Sequence, residues 1–451
     1  MNKKHLSQFR KEFLTGHGSA LVTLHSCTNP APFFDSILYG CLHNTTYDMQ
    51  CEGDRGWYLH QGAKLSENPS AIEEAVCKKF LHKTDDIWTF QQLLSIVYHF
   101  AADGSKKAKS ALYQQYKALL TQLSQIDNAE NVETCPTNDM FDWLCVKLVE
   151  LDGWNGFKKI VDDSSNLLLP KSVSFFFPAE THHFAQKKFG KARVLSQWSK
   201  QSAIYPSLLN HLEKRKEWSK PKQQEPFDVA LSRVREAVSK GGYGRGWSIQ
   251  VVRNGTGKEI EILAQTAINE PDPKLQGELL WGFRIKKVYD FPLEFLQQLC
   301  NSDSDILKTI GYDLLGQNPS QKTREIAHSL LKSEHSKDIA LGISLLTKDL
   351  LPSDEELLFQ SVRSFASDKK SDMHRIHWDA GFGIANMKGK PSTDILLYLY
   401  NSTLCGICRG RFLQIMDKKD VLSNKVLQES RFDANCETRA FSYKLMQKSL
   451  F

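Results

Sequence analysis

The feature that most restricts the fold of this chain is a grammar that recurs beyond Pro271. A short helical pattern is followed by a proline, a serine and a second helical pattern. SDSDILKTIGYDLLGQ, from Ser302, leads to Pro319 and SQKTREIAHSLLK. SKDIALGISLLTKDL, from Ser336, leads to Pro352 and SDEELLFQSVRSF. HRIHWDAGFGIANM, from His374, leads to Pro391 and STDILLYLYNS. Proline supplies the φ of a first helical turn, and serine supplies a hydroxyl that accepts from an unpaired backbone amide. Helix pairs are predicted to open near Asp272, Asp303, Lys337, His374, Cys405 and Asn435. Those starts lie roughly 30 to 37 residues apart, in or just below the period of helical repeat arrays. A single pair buries too little apolar surface to offset the entropy of ordering it, so each needs neighbours.

The N-terminal part reads as helix too. IEEAVCKKFLHK, FQQLLSIVYHFAADG, KAKSALYQQYKALLTQL and MFDWLCVKLVELDG place apolar residues three and four apart. Period-two alternation is scarce. Its best instance is WSIQVVRNGTGKEIEILA, residues 247–264, where an Asn-Gly pair between Val and Ile predicts a small β-hairpin. The charged, proline-containing stretch EKRKEWSKPKQQEP, from Glu213, reads as a linker, and GGYGRGW from Gly241 as a second soft spot. The expected organisation is an all-α chain with an N-terminal helical domain over 1–212, a linker over 213–246 and a repeat domain over 247–451.

Of the 451 residues, 41% are hydrophobic and 24% charged, the balance of a folded, water-exposed protein. No apolar run approaches the ~20 residues of a membrane helix. The first residues, MNKKHLSQFRKEFL, form an amphipathic pattern rather than a signal peptide. The ten cysteines fall mostly inside apolar helical patterns, which fits buried thiols in a reducing compartment. These features lead to the expectation of a cytoplasmic protein without a membrane partner. The net charge of +6 permits an acidic partner without requiring one.

The Asp/Ser-opened first helices, the Pro-Ser-opened second helices and the period resemble HEAT-type or armadillo-like repeats, best over residues 270–451. The pattern is also similar to bacterial HEAT-repeat proteins of unassigned function. The resemblance implies a right-handed superhelical solenoid of antiparallel helix pairs and a binding role, with no particular substrate.

Candidate sites follow from residue types. CLHNTTYDMQCEGDR, from Cys41, is the densest polar stretch. His43, Asp48, Glu52 and Arg55 either line a polar pocket or tie two helix turns together; helix capping and the three-residue Glu52–Arg55 spacing favour the tie. Cys41, His43 and Cys51 lack a fourth ligand and match no zinc spacing. LCGICRGRF carries a C-x-x-C pair, Cys405 and Cys408, which reads as structural because no strand precedes it. The glycines of GGYGRGW and NGTGKE fail the phosphate-loop pattern. The segments WGFRIKK and HRIHWD offer Trp281, Arg284, Lys287, Arg375, Trp378 and Asp379 as contact residues, since Trp and Arg are favoured as binding anchors. The expected function is a non-catalytic scaffold or adaptor holding a macromolecule, foremost a protein, on a concave surface, with no cofactor and no metal. The alternative is a nucleic-acid-binding or base-processing protein like the HEAT-type DNA glycosylases, which use Trp and an acidic residue on such a face.

Overall fold

The computed structural model describes residues 3–49, 52, 55–82, 84, 86–125, 136–165, 179–201 and 226–448. Among the described residues there are 24 α-helices, a few 3-10 turns and no strand. No described helix is long and apolar enough to cross a membrane. The chain divides into two compact units. Unit 1 comprises Met1–Pro221, Leu404–Leu413 and Ser423–Phe451; unit 2 comprises Lys222–Thr403 and Gln414–Leu422.

In unit 1 the helices are α1 (Lys3–Leu14), α2 (Gly18–Ser26), α3 (Phe34–Leu42), α4 (Gly56–Lys64), α5 (Pro69–Leu81), α6 (Ile87–Ala102), α7 (Lys106–Ser124), α8 (Pro136–Ser165), α9 (Ala179–Phe189) and α10 (Lys191–Trp198). Their starts are written in the sequence. Asn68, Asp86 and Ser105 each accept a backbone N–H from the first turn of α5, α6 and α7. Helix α6 is the centre of the unit. It buries Phe90, Leu93, Leu94, Ile96, Val97 and Phe100, on more than one face, because α4, α5, α7 and α8 all pack against it. Its one buried amide, Gln92, donates to the carbonyls of Gly40 and Cys41 at 3.1 and 3.3 Å. Helix α8 breaks at Gly153, whose φ of +62° suits a residue without Cβ.

The core of unit 1 is completed by residues from far along the chain. Helices α23 (Asn424–Ser430) and α24 (Cys436–Lys448) pack on each other, and α23 packs on α2. Gly18 makes that approach feasible. A Cβ there would sit 1.9 Å from the Glu429 carbonyl oxygen.

Unit 2 holds α11 (Phe227–Ser239), α12 (Arg245–Asn254), α13 (Gly257–Asn269), α14 (Pro273–Leu280), α15 (Leu293–Cys300), α16 (Asp305–Gly316), α17 (Gln321–Leu331), α18 (Ser336–Leu346), α19 (Glu355–Ser364), α20 (Lys370–Asn386) and α21 (Thr393–Ser402). One further helix, α22 (Gly406–Lys418), follows in sequence. The helices pack in neighbouring pairs: α15 with α16, α17 with α18, α19 with α20 and α20 with α21. The first helices also touch in succession, α14 to α16 to α18 to α20. Ser320 and Ser392 cap α17 and α21 as the Pro-Ser pattern predicts. A further repeated device sits before the first helices. The hydroxyls of Ser302, Ser333 and Ser367 accept the backbone N–H two residues on, at 3.2, 3.1 and 3.1 Å. The latter two also donate to Asp338 and Asp372 inside the next helix, both at 2.9 Å.

The hairpin expected over 247–264 is not formed. That stretch is α12, a turn and α13. Gly255 stops α12, and Thr256 opens α13 with a reciprocal capping box: its hydroxyl accepts from Glu259 N, and the Glu259 carboxylate accepts from Thr256 N at 2.7 Å. The T-x-x-E pattern outweighs Asn-Gly because it satisfies two backbone donors at a helix start. Of the expected linker, residues 213–225 lie outside the described residues, and α11 occupies 227–239. Cys51 also lies outside them.

Candidate binding groove

In unit 2 the row α14, α16, α18, α20 presents a groove. Helix α14 ends in a 3-10 turn, Trp281–Arg284, which brings Trp281 and Arg284 to its rim. Asp313 comes from α16, Ser344 and the following Lys348 from α18, and Arg375 and Asp379 from α20; together they line a cavity of about 360 Å³. A second cavity of about 280 Å³ adjoins it. The two share Thr309, Leu341 and Arg375, so the groove is continuous across the row.

Trp281 is held by charge. The guanidinium carbons of Arg245 and Arg284 lie 4.0 and 4.1 Å from its ring centroid. Such cation–π contacts are worth about 0.5–2 kcal/mol each, more as water is excluded. Both arginines are fixed on their other side. Arg284 Nε donates to Asp313 at 2.5 Å, and Arg245 Nε donates to Glu278 at 2.9 Å. Glu278 is buried, and its second oxygen accepts the backbone N–H groups of Gly244 and Arg245 at 2.7 and 2.9 Å. The indole therefore stands in a preset orientation, with Tyr243, 74% exposed, beside Arg245.

Asp379 sits deeper in the groove. Burial pushes its carboxyl above the ordinary range; Arg375, Lys348 and a hydrogen bond from Ser344 pull it back, while Asp313 adds to the rise. The groove thus places carboxylates and cations side by side, which suits binding by ion pairs and hydrogen bonds.

Trp281, Arg284, Arg375 and Asp379 are brought together there. Lys287 and Trp378 are not among the lining residues. Lys287 reaches Asn318 and Asp290 instead, at 2.6 and 2.9 Å, and Trp378 is half-buried on α20. Sequence reasoning missed Arg245, Asp313 and Lys348. For Asp313 and Lys348 a signal was available: Arg284, Asp313, Lys348 and Asp379 recur at about the period of the helix pairs.

The polar stretch after Cys41 lies in unit 1 and is bound into backbone. His43 turns back on α3; its ring stacks on Tyr39 at 4.2 Å and its Nδ1 meets the Tyr39 carbonyl at 3.0 Å. Glu52 accepts from Asp48 N at 3.1 Å and from Gly406 N at 3.0 Å. Burial raises its pKa, opposed by those amides. Arg55, 4% exposed, donates to the Leu14 carbonyl at 3.0 Å and to Thr46 Oγ1 at 3.2 Å. Glu52 and Arg55 act as ties between the corner of α1 and α2, the polar stretch and the start of α22. Beside them Arg409 Nε donates to Asp433 at 2.7 Å, with both side chains fully buried. The same guanidinium reaches the Gly16 carbonyl at 3.1 Å. Cys405 and Cys408 are buried, and their mutual hydrogen bond followed by burial holds the Cys408 thiol protonated far above its usual range. A thiol so held is a poor nucleophile.

No protein-family model matches the chain, and no curated protein matches it. Among solved structures, one described as an engineered protein aligns over 95% of this chain and 98% of its own, at 12% identity and a TM-score of 0.23. A likeness that low bears on neither fold nor function.

Proposed function

We propose that the protein is a non-catalytic scaffold or adaptor of the HEAT/armadillo-like solenoid kind, whose helix row in unit 2 holds a protein partner on a concave face. One observation carries this reading: three successive first helices, together with the 3-10 turn that ends a fourth, contribute polar side chains to one groove. Stacked helix pairs keep their core while the residues along such a surface vary, which is how repeat arrays bind. The groove also carries the side-chain types that anchor protein interfaces, an oriented Trp with two Arg, next to Ile285, which is 48% exposed. Its free thiols among the described residues favour a reducing compartment, and we place the protein in the cytoplasm.

The test is a photo-reactive amino acid in place of Thr309, irradiated in lysate of the native host with and without nuclease. A discrete cross-linked protein that persists after nuclease treatment is the expected result, and Arg375→Glu should remove it. The nucleic-acid reading draws on the lysines around the same groove. It predicts a cross-link lost to nuclease, and an affinity falling by ~10³–10⁵ between about 50 and 200 mM salt. Either outcome replaces the protein partner.

A further inference from the structure

The groove across α14, α16, α18 and α20 distributes its charges unevenly between engaged and available groups. Its acids are occupied by this chain. Arg284 holds Asp313 at 2.5 Å, Lys337 holds Asp305 at 2.9 Å, and Ser333 and Ser367 hold Asp338 and Asp372. Four cations line the same two cavities, Lys308, Lys348, Lys369 and Arg375; among the described residues no direct ion pair holds them, although Arg375 and Lys348 act on Asp379 through their charge. Lys348, Lys369 and Arg375 are exposed.

Resting on the protein-partner reading above, we infer that the occupant of this groove is an extended peptide segment whose groove-facing side chains, every second residue, alternate between acidic and basic. Charge complementarity selects it. Carboxylates of the segment meet the four available cations. Its basic side chains and backbone amides meet Asp379 and the unused lone pairs of the engaged carboxylates, each of which can accept more than one bond. A uniform polyanion has no such fit. Its phosphates or carboxylates must pass five aspartates, and like charges in contact are penalised.

Dimensions agree. Packed helices lie ~8–10 Å apart, and an extended chain returns a side chain to the same side every ~6.7 Å. One ligand side chain per helix is therefore feasible, and crossing the row takes about eight residues at ~3.3 Å each. At the α14 end, Trp281 and the exposed Ile285 receive an apolar residue.

Fluorescence anisotropy on the full chain tests this with labelled probes of about ten residues: an alternating peptide of Glu-Thr-Lys-Thr repeats, in which the residues of one face alternate in charge, all-glutamate and all-lysine peptides, plus a thymidine oligonucleotide of matching length. The alternating peptide should bind about tenfold more tightly than either homopolymer or the oligonucleotide, the equivalent of one decade in Kd. Lys348→Glu combined with Arg375→Glu, both surface changes, should abolish that preference while the melting temperature holds. Equal or tighter binding of the all-glutamate peptide or the oligonucleotide overturns the inference. So does a failure of all four probes. In that last case a nuclease-resistant cross-link at Thr309 would leave the protein-partner reading standing, and its absence would remove both.

Discussion

His17 shows how much one side chain can hold here. It caps α2 through Nδ1, is 3% exposed, and burial followed by the cations Arg409, Lys11 and Lys425 lowers its pKa to about 3. The unfolded chain takes up this proton near the ordinary value of 6.5, and the folded chain does so only near 3. Between those values the unfolded state binds more protons, so stability is full above about pH 6.5 and falls as the medium is acidified. From about pH 7 to about pH 5 this single residue should cost unit 1 about 2 kcal/mol. Urea unfolding at both pH values, for the native chain and His17→Gln, measures it: the variant should lose that much less. An unchanged difference would show that His17 is not neutral in the fold. Glu52 and Asp142, whose pKa values burial raises, act in the opposite sense and do not mask a comparison made by substitution. None of this was legible in the sequence. His17 and Arg409 are distant in the chain, and nothing in the sequence pairs Arg409 with Asp433.

At the scale of helices the sequence was far more legible. The predicted starts near Asp272, Asp303, Lys337 and Cys405 fall within three residues of α14, α16, α18 and α22. Proline, serine and aspartate act locally, through φ and a short side-chain bond, so their message survives without tertiary knowledge. The hairpin misreading at 247–264 shows the limit. The same six letters, NGTGKE, carry both a hairpin turn and a capping box, and only packing chooses between them. Losing a cap costs about 0.5–2 kcal/mol, so Thr256→Ala should lower the stability of unit 2 by about 1 kcal/mol. A thermal melt followed at 222 nm checks it. A change below a few tenths would mean that the box contributes nothing beyond what water supplies. The groove was half legible for a related reason. Trp and Arg announce themselves by type, whereas Asp313 and Lys348 matter only by their place in the repeat.

For the whole molecule the consequential feature is that unit 1 is discontinuous in sequence. The Arg409 guanidinium and the Gly16 carbonyl it reaches are 393 positions apart, and Ala434 N donates to the same carbonyl at 2.9 Å. Severing a buried ion pair by removing one member costs about 3–5 kcal/mol, because the other charge stays buried alone. Arg409→Met should therefore destabilise unit 1 by about that amount and hasten hydrogen exchange in α1 and α2. Exchange confined to α22 through α24 would contradict that linkage. Newly made chain leaves the ribosome from its first residue onward, so α1 and α2 emerge with no Asp433, Glu429 or Ala434 to settle against. Their partners arrive only after the entire intervening unit has been synthesised. Through that interval the opening helices must persist half-supported, a window in which a chaperone has something to hold.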